Sequence, residues 1–338
     1  MNSLTRDRSA SLIPSRLPVW GTMALLAASI FPPVASAQTN PAATGNPCLS
    51  PAMIPQMVRE GHSVRVSPST QLVPQPAGAR ENEKAIALTR APDTLRTLKE
   101  AHRWFEKAAR KGYAPAQVNL AVLSLAGWGT SPNAGTALYW LREAARQEYA
   151  LANFDLGILY LEGCGVRQDG HEAFSWFERA AKAGDSAAQL NLGYLYDQGL
   201  GVAQDRAQAA VWYRKAAESG VAQAQHNLAD LYAHGEGVPL DERLAFLWYQ
   251  KAALEGHPGA RLMLGSMYAE GRGTEKDLAS AYMWFSVTAL QGDHRAHRSL
   301  EALERQLTPA QLAQSKMRAQ SLARSPNPAS PSELAFLH

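Results

Sequence analysis

Two histidines, His294 and His297, lie three residues apart in the segment DHRAHRS. On a helix, this spacing would place both imidazoles on one face, where they could ligate a metal ion. Two ligands alone make an incomplete metal site, and the neighbouring Arg295 and Arg298 disfavour a cation. The segment therefore favours a basic helix face, and we expect neither a metal nor another cofactor.

The sequence lacks the common motifs of catalysis. It contains no G-x-S-x-G nucleophile elbow, no H-E-x-x-H zinc motif and no P-loop. No lysine has a serine or threonine three residues before it, which is the spacing that serine–lysine hydrolases use. We therefore predict a protein that is not an enzyme.

The chain has two cysteines, Cys48 and Cys164, and the second lies between Gly163 and Gly165. In an oxidising compartment, the two could form one disulfide that ties the N-terminal segment to the region around residue 164. Two separate thiols are the alternative, and one pair of cysteines gives no framework of spacings that would decide between them.

The charge balance bears on the class of partner. The formal net charge is +3 over 338 residues, and the basic residues do not form a block. An electrostatic grip on a phosphate backbone needs a concentrated basic surface. We therefore expect no nucleic acid among the partners.

Residues 1–37 have the pattern of a secretory signal peptide. Three arginines precede the apolar stretch 17–31, and Ala35 and Ala37 form an A-x-A cleavage pattern. The apolar stretch is shorter than the ~20 residues of a membrane-spanning helix, which favours cleavage over an uncleaved anchor. We expect a mature chain that begins at Gln38, is periplasmic or secreted, and is not stably inserted in a membrane.

The remaining chain divides by composition. Residues 38–92 are rich in Pro and Ser and predict a mobile arm, with a short helix around 82–90. Residues 93–300 carry helical periodicity, and 301–324 predict C-terminal capping helices. Residues 325–338 predict a disordered tail.

A repeat of 36 residues organises the helical part. Its clearest marker is a tryptophan that recurs at this step, at Trp104, Trp140, Trp176, Trp212, Trp248 and Trp284. Around Trp176, apolar residues recur with helical spacing up to a stop at Gly184, and a second apolar helix follows. Each repeat therefore predicts two helices, which must stack on their neighbours to bury their apolar faces. We expect the tryptophans to fill the space between helix layers.

Residues 188–220 resemble the Sel-one-like repeat, a relative of the tetratricopeptide repeat. The matching residues are Ala188, Leu192, Gly193, Tyr196, Gly199, Gly201, Val202, Asp205, Ala209, Trp212, Tyr213, Ala216, Ala217 and Gly220. The resemblance covers roughly residues 101–300. It implies an all-α fold, a right-handed α-solenoid of stacked antiparallel helix pairs.

The resemblance also implies that the helix with the L-G-x-x-Y motif lines a concave groove. Positions two before and two after its repeated leucine would then face that groove, which gives the candidate partner-binding residues Phe154, Ile158, Leu190, Tyr194, His226 and Asp230. An apolar strip followed by polar residues suits an extended peptide or a partner helix. The alternative is that neighbouring helices, or the N-terminal arm, bury part of this surface.

We therefore expect a non-catalytic, exported adaptor or scaffold that binds a protein or peptide partner in envelope regulation or host interaction. The family resemblance also raises an alternative function, an envelope hydrolase acting on penicillins or cell-wall fragments, because some cysteine-rich members bind penicillins. The missing serine–lysine spacing and the lack of dense cysteine pairs count against this alternative.

Overall fold

The computed structural model describes residues 76–90 and 95–324. Within these residues, the chain forms fourteen α-helices, one 3-10 helix and no β-strand. The predicted all-α class is therefore confirmed. The predicted signal peptide, Cys48 and the C-terminal tail lie outside the described residues.

The helices follow one another with short connections. They are α1 (Ala79–Arg90), α2 (Leu95–Arg110), α3 (Ala114–Ala126), α4 (Ala134–Ala145), α5 (Ala150–Glu162), α6 (Gly170–Lys182), α7 (Ser186–Gln198), α8 (Arg206–Glu218), α9 (Ala222–His234), α10 (Glu242–Leu254), α11 (Pro258–Glu270), α12 (Leu278–Leu290), α13 (His297–Glu304) and α14 (Pro309–Arg324). The 3-10 helix, His294–Ala296, precedes α13. We refer to α2, α4, α6, α8, α10 and α12 as the tryptophan helices, and to α3, α5, α7, α9 and α11 as the leucine helices.

The chain divides into two compact units between Asp241 and Glu242. In the first, which holds α1 to α9, each helix packs on the next one along the chain. In the second, α10, α11 and α12 pack in sequence, and α12 also packs on α13 and α14. Stacked helix pairs are the solenoid arrangement that the sequence predicts.

Polar side chains start the tryptophan helices. The carboxylates of Asp169 and Asp205 accept hydrogen bonds from backbone N–H groups in the first turns of α6 and α8. Asn133 and Asp277 do the same for α4 and α12. Each such cap stabilises a helix by about 1 kcal/mol, because it satisfies N–H groups that have no partner within the helix.

Glycines end the leucine helices and allow the backbone of a neighbouring helix to approach closely. Gly199, which ends α7, has a left-handed backbone with φ of 70°. Two residues later, a Cβ on Gly201 would collide with the carbonyl group of Gly170 at the start of α6. The G-x-G spacing therefore provides both a helix stop and a close contact between successive tryptophan helices.

The core is filled by the residue after each tryptophan. Phe105, Leu141, Phe177, Tyr213 and Tyr249 have 0% of their surface exposed. The tryptophans that precede them are half-buried, and of the six only Trp284 is buried, at 1% exposure. The expectation that the tryptophans fill the space between layers holds only in part: Trp104, Trp140, Trp176 and Trp212 pack against the edges of the buried clusters, and the residue after each of them fills the core.

In two of the repeats, a glycine on the facing leucine helix makes room for the buried ring. A Cβ on Gly193 would lie 2.6 Å from the ring of Tyr213, so only glycine leaves room for that ring. Gly157 stands in the same relation to Phe177, at 2.7 Å. The ring that meets the glycine enters the core, and the adjacent indole stays at its edge.

The stack begins earlier than the boundary at residue 93 that the sequence predicts. Helix α1 packs on α2, and Ala85 is fully buried. The Asn119 side chain of α3 donates a hydrogen bond of 3.1 Å to Asn82 Oδ1 of α1. Residues 79–90 therefore form a helix of the stack and do not belong to an arm.

The C-terminal helix begins with a reciprocal cap. The Thr308 N–H donates to Gln311 Oε1 at 3.0 Å, and the Gln311 N–H donates to Thr308 Oγ1 at 3.3 Å. Helix α14 then packs on α12. This is the capping-box arrangement, and it places α14 over the last apolar helix of the second unit.

Candidate functional site

The candidate groove residues lie on three successive leucine helices of the first unit. Phe154 and Ile158 are on α5, and Leu190 and Tyr194 are on α7. His226 and Asp230 are on α9. All six therefore occupy the same two helix positions in consecutive repeats, as their 36-residue spacing requires.

The structure does not place all six on an open surface. Leu190, His226 and Asp230 are buried, at 0%, 4% and 2% exposure. Phe154 and Tyr194 are half-buried, as is Ile158. The groove-facing orientation expected from the sequence is therefore wrong for the three buried residues, and the alternative of burial applies to them.

Contacts between helices account for the partial burial of Phe154, Ile158 and Tyr194. The Phe154 ring lies 5.7 Å from the Phe177 ring of α6, measured between centroids. Phe154, Ile158 and Tyr194 pack against a buried cluster that includes Leu192 and Leu195 of α7. The side of each leucine helix opposite its repeated leucine therefore contributes to the core.

His226 and Asp230 form a close pair one helical turn apart. His226 Nε2 lies 3.7 Å from Asp230 Oδ2, and the two side chains are only 5% and 3% exposed. Removing one member of a buried polar pair is strongly destabilising, because it leaves the other in a desolvated site. These residues therefore belong to the interior of the stack.

Tyr194 combines an apolar ring with a neutral hydroxyl group. Burial raises the pKa of Tyr194 above its ordinary value of 10.0, and the nearby carboxylate of Asp197 raises it further. The phenol therefore stays protonated at physiological pH. A half-buried tyrosine of this kind offers a partner both apolar contact and a hydrogen-bond donor.

The two histidines of the second unit are adjacent but do not complete a metal site. His294 Nδ1 lies 3.5 Å from His297 Nε2, and the rings stack with centroids 5.6 Å apart. Asp293 accepts hydrogen bonds from Arg295. Within residues 76–90 and 95–324, no group of three or more His, Cys, Asp or Glu side chains is placed to hold a metal ion.

Cys164 is 1% exposed and is part of a disulfide. It belongs to a buried cluster that includes Leu156 and Leu159 of α5. Cys48, the other cysteine of the chain, lies outside the described residues, so its pairing with Cys164 stays a prediction.

One charged surface was not predicted from the sequence. A face of α2 carries four cations, Arg96, Lys99, Arg103 and Lys107, beside Trp104. The available signal was local, because no later repeat has cations at all three of the positions of Arg96, Lys99 and Arg103, although Lys276 and Arg243 recur at the first two. A chain-wide search for blocks of basic residues does not detect cations that are three or four residues apart.

Among the described helices, none is both long and apolar enough to cross a membrane.

Comparisons with known proteins identify the repeat. The model of the family described as Sel1 repeat matches residues 98–113, 114–149, 150–185, 186–221, 222–257 and 258–293. Together these segments make up more than half of the chain. A search of curated proteins found no match.

Solved structures include similar repeat proteins. The crystal structure of a Sel1 repeat protein from Oxalobacter formigenes is 35% identical over 62% of this chain and 84% of that chain, with a TM-score of 0.54. The crystal structure of c5321, a protective antigen present in uropathogenic Escherichia coli strains that displays an SLR fold, is 26% identical. It covers 76% of this chain and 63% of that chain, with a TM-score of 0.48.

Proposed function

The chain belongs to the Sel1 repeat family, and from this premise we propose that it is an exported, non-catalytic scaffold that binds a protein or peptide partner along α5 and α7. Proteins of this family generally act as protein-interaction scaffolds. The contact surface comprises Phe154, Ile158 and Tyr194, because these are the candidate residues that keep part of their side chains exposed.

The observation that carries the proposal is the half-burial of these three apolar side chains in consecutive repeats. Each is held by the core beneath it, as Phe154 is by Phe177. Side chains that are already fixed lose little conformational entropy when a partner covers their exposed part. Apolar anchors of the partner, in an extended peptide or one face of a helix, would complete the contact.

The proposed location rests on the signal-peptide pattern of residues 1–37. A disulfide at Cys164 fits an oxidising compartment outside the cytoplasm. We place the partner in envelope regulation or host interaction for the same reason. No observation favours the alternative of an envelope hydrolase.

The test is capture of a partner by the mature chain and by two double variants. We expect Phe154→Ala with Tyr194→Ala to weaken binding about a hundredfold, because aromatic anchors each contribute about 2 kcal/mol or more to an interface. The partner, identified by mass spectrometry of material captured from an envelope extract, would then be titrated as a purified protein.

The matched control is Phe174→Ala with Tyr196→Ala. These two rings are also half-buried and contact each other at 5.2 Å between centroids, so the control removes the same residue types. We expect it to leave affinity within about threefold, which is under 1 kcal/mol. Equal losses in both variants, at equal thermal stability, would contradict the proposed surface.

A further inference from the structure

One face of α2 carries a row of cations. Ala101 and Phe105 mark the buried side of this helix. The opposite side lines a pocket of about 750 Å³ and consists of Arg96, Lys99, Glu100, Arg103, Trp104 and Lys107. These positions follow successive turns, so they form one continuous strip about 16 Å long at 1.5 Å per residue. We name this strip the α2 basic face.

Three of its four cations have no ion-pair partner within residues 76–90 and 95–324, namely Arg96, Lys99 and Arg103. The fourth, Lys107, lies 3.9 Å from Glu81. The carboxylate of Glu100 accepts a hydrogen bond of 3.4 Å from the Trp104 indole. Counted over the part of the chain that the structure describes, the face therefore carries an excess of exposed positive charge.

The repeat does not require this charge. At the positions of these three cations, the repeat that contains α8 has Gln204, just before the helix, and Ala207 and Val211 on it. Helix α8 nevertheless keeps the rest of the arrangement, with Lys215 Nζ 3.9 Å from the Trp212 ring centroid. Because the scaffold folds with neutral residues at these positions, packing does not explain the cations of α2, and recognition of an anion does.

The rest of the chain has few acidic residues that could pair with the α2 basic face. Its segments outside the described residues contain few acidic residues, namely Asp7, Glu60, Asp93 and Glu333. The net charge of the chain is only +3, so general attraction to polyanions is weak. A ligand that complements the α2 basic face therefore comes from another molecule and binds locally.

The length of the face indicates the kind of anion. Arg96 and Arg103 are seven residues apart, which is about 10 Å along the helix axis. One phosphate group is too small to pair with cations spread over this distance. The three cations rise about 4.5 Å and 6 Å from one to the next. An extended peptide presents every second side chain on one side, about 6.6 Å apart, and long, flexible Arg and Lys side chains can reach carboxylates at that spacing.

We propose that the α2 basic face binds an extended acidic peptide segment of another protein. Alternating Asp or Glu side chains of that segment pair with Arg96, Lys99 and Arg103, and its backbone lies along the strip past Trp104. This surface is separate from the proposed contact along α5 and α7, and it does not depend on that proposal.

The test uses the full mature chain and a fluorescein-labelled peptide of about ten residues in which Glu and Ser alternate. Binding is followed by fluorescence anisotropy at low salt. We expect the triple variant Arg96→Gln, Lys99→Gln, Arg103→Gln to lose at least tenfold in affinity. The single variant Arg103→Val, which copies Val211, the residue of α8 at the equivalent position, should lose about threefold without a change in stability.

The matched control is Arg167→Gln, Arg243→Gln, Arg298→Gln, which removes three other exposed arginines and the same net charge. We expect this control to change affinity less than twofold, and an excess of inorganic phosphate not to displace the peptide. Equal losses in the two triple variants would overturn the proposal in favour of nonspecific attraction. Absence of peptide binding by the unaltered chain, or displacement by phosphate, would also overturn it.

Discussion

Replacing Tyr213 by alanine should destabilise the stack far more than replacing the adjacent Trp212. The Tyr213 ring is fully buried, and it lies against Gly193, where even a Cβ would approach it to 2.6 Å. Truncating a buried aromatic ring costs about 3–5 kcal/mol, from lost transfer free energy and from the cavity that remains. The packing contact between the central turns of α7 and α8 is therefore lost.

The Trp212 indole makes weaker contacts. It is half-buried, and Lys215 Nζ lies 3.9 Å from its ring centroid. An exposed cation–π contact contributes about 0.5–1 kcal/mol, and partial burial adds a similar amount. We therefore expect Trp212→Ala to cost about 1–2 kcal/mol.

Thermal melts followed by circular dichroism distinguish the two changes. For a protein of this size, Tyr213→Ala should lower Tm on the order of 10 °C, and Trp212→Ala by less than about 5 °C. Hydrogen exchange should show that Tyr213→Ala first exposes the amides of α7 and α8, because each repeat contacts only its neighbours. A larger effect for Trp212→Ala would refute the assignment of the core.

Three further outcomes are expected. Gly201→Ala should cost more free energy of unfolding in a urea titration than Gly184→Ala, because both glycines have positive φ but only Gly201 is crowded by a neighbouring backbone. The pKa of Glu81 lies below its ordinary value of 4.5, chiefly because Lys111 donates a hydrogen bond to it. Its stabilisation is therefore complete above pH 4.5 and is lost as the pH falls through the lowered pKa, so urea titrations at pH 7 and pH 3 should differ less in Glu81→Gln. Mass spectrometry of the exported protein should show an N-terminus at Gln38, and a membrane-bound product that begins at Met1 would contradict this.

The order of helices and their ends could be predicted from the sequence. The 36-residue step, the caps such as Asp169 and Asp205, and the stops such as Gly199 are local signals. Each acts through its own backbone conformation or through the N–H groups of the next turn. Such signals do not depend on which helix becomes a neighbour, so the structure agrees with them.

The identity of the core ring could not be predicted in the same way. Trp212 and Tyr213 are adjacent, and both fall within a broad apolar face of α8. The choice between them depends on Gly193, which is on another helix and meets only one of the two rings. The hydrophobic periodicity of α8 alone therefore does not show which of the two rings is buried.

Burial at the candidate site also depends on neighbouring helices and could not be predicted from the sequence. The family resemblance identified the helices that carry Phe154 and Tyr194, but it did not show how much of each side chain a neighbour covers. Leu190 and His226 occupy equivalent positions and are buried. Helix α1 was missed as part of the stack because Ala79–Arg90 lacks the tryptophan and the glycines that mark the later repeats.

Site-specific photo-crosslinking tests the central claim most directly, namely that the first unit binds a protein partner through α5 and α7. A benzophenone side chain placed at position 194 of the exported protein should give a covalent adduct with one protein. The same group at position 196, two residues away on the same helix, should give none, because Tyr196 packs against Phe174 of α6. Adducts at position 196 alone, or no protein adduct at either position, would contradict the account.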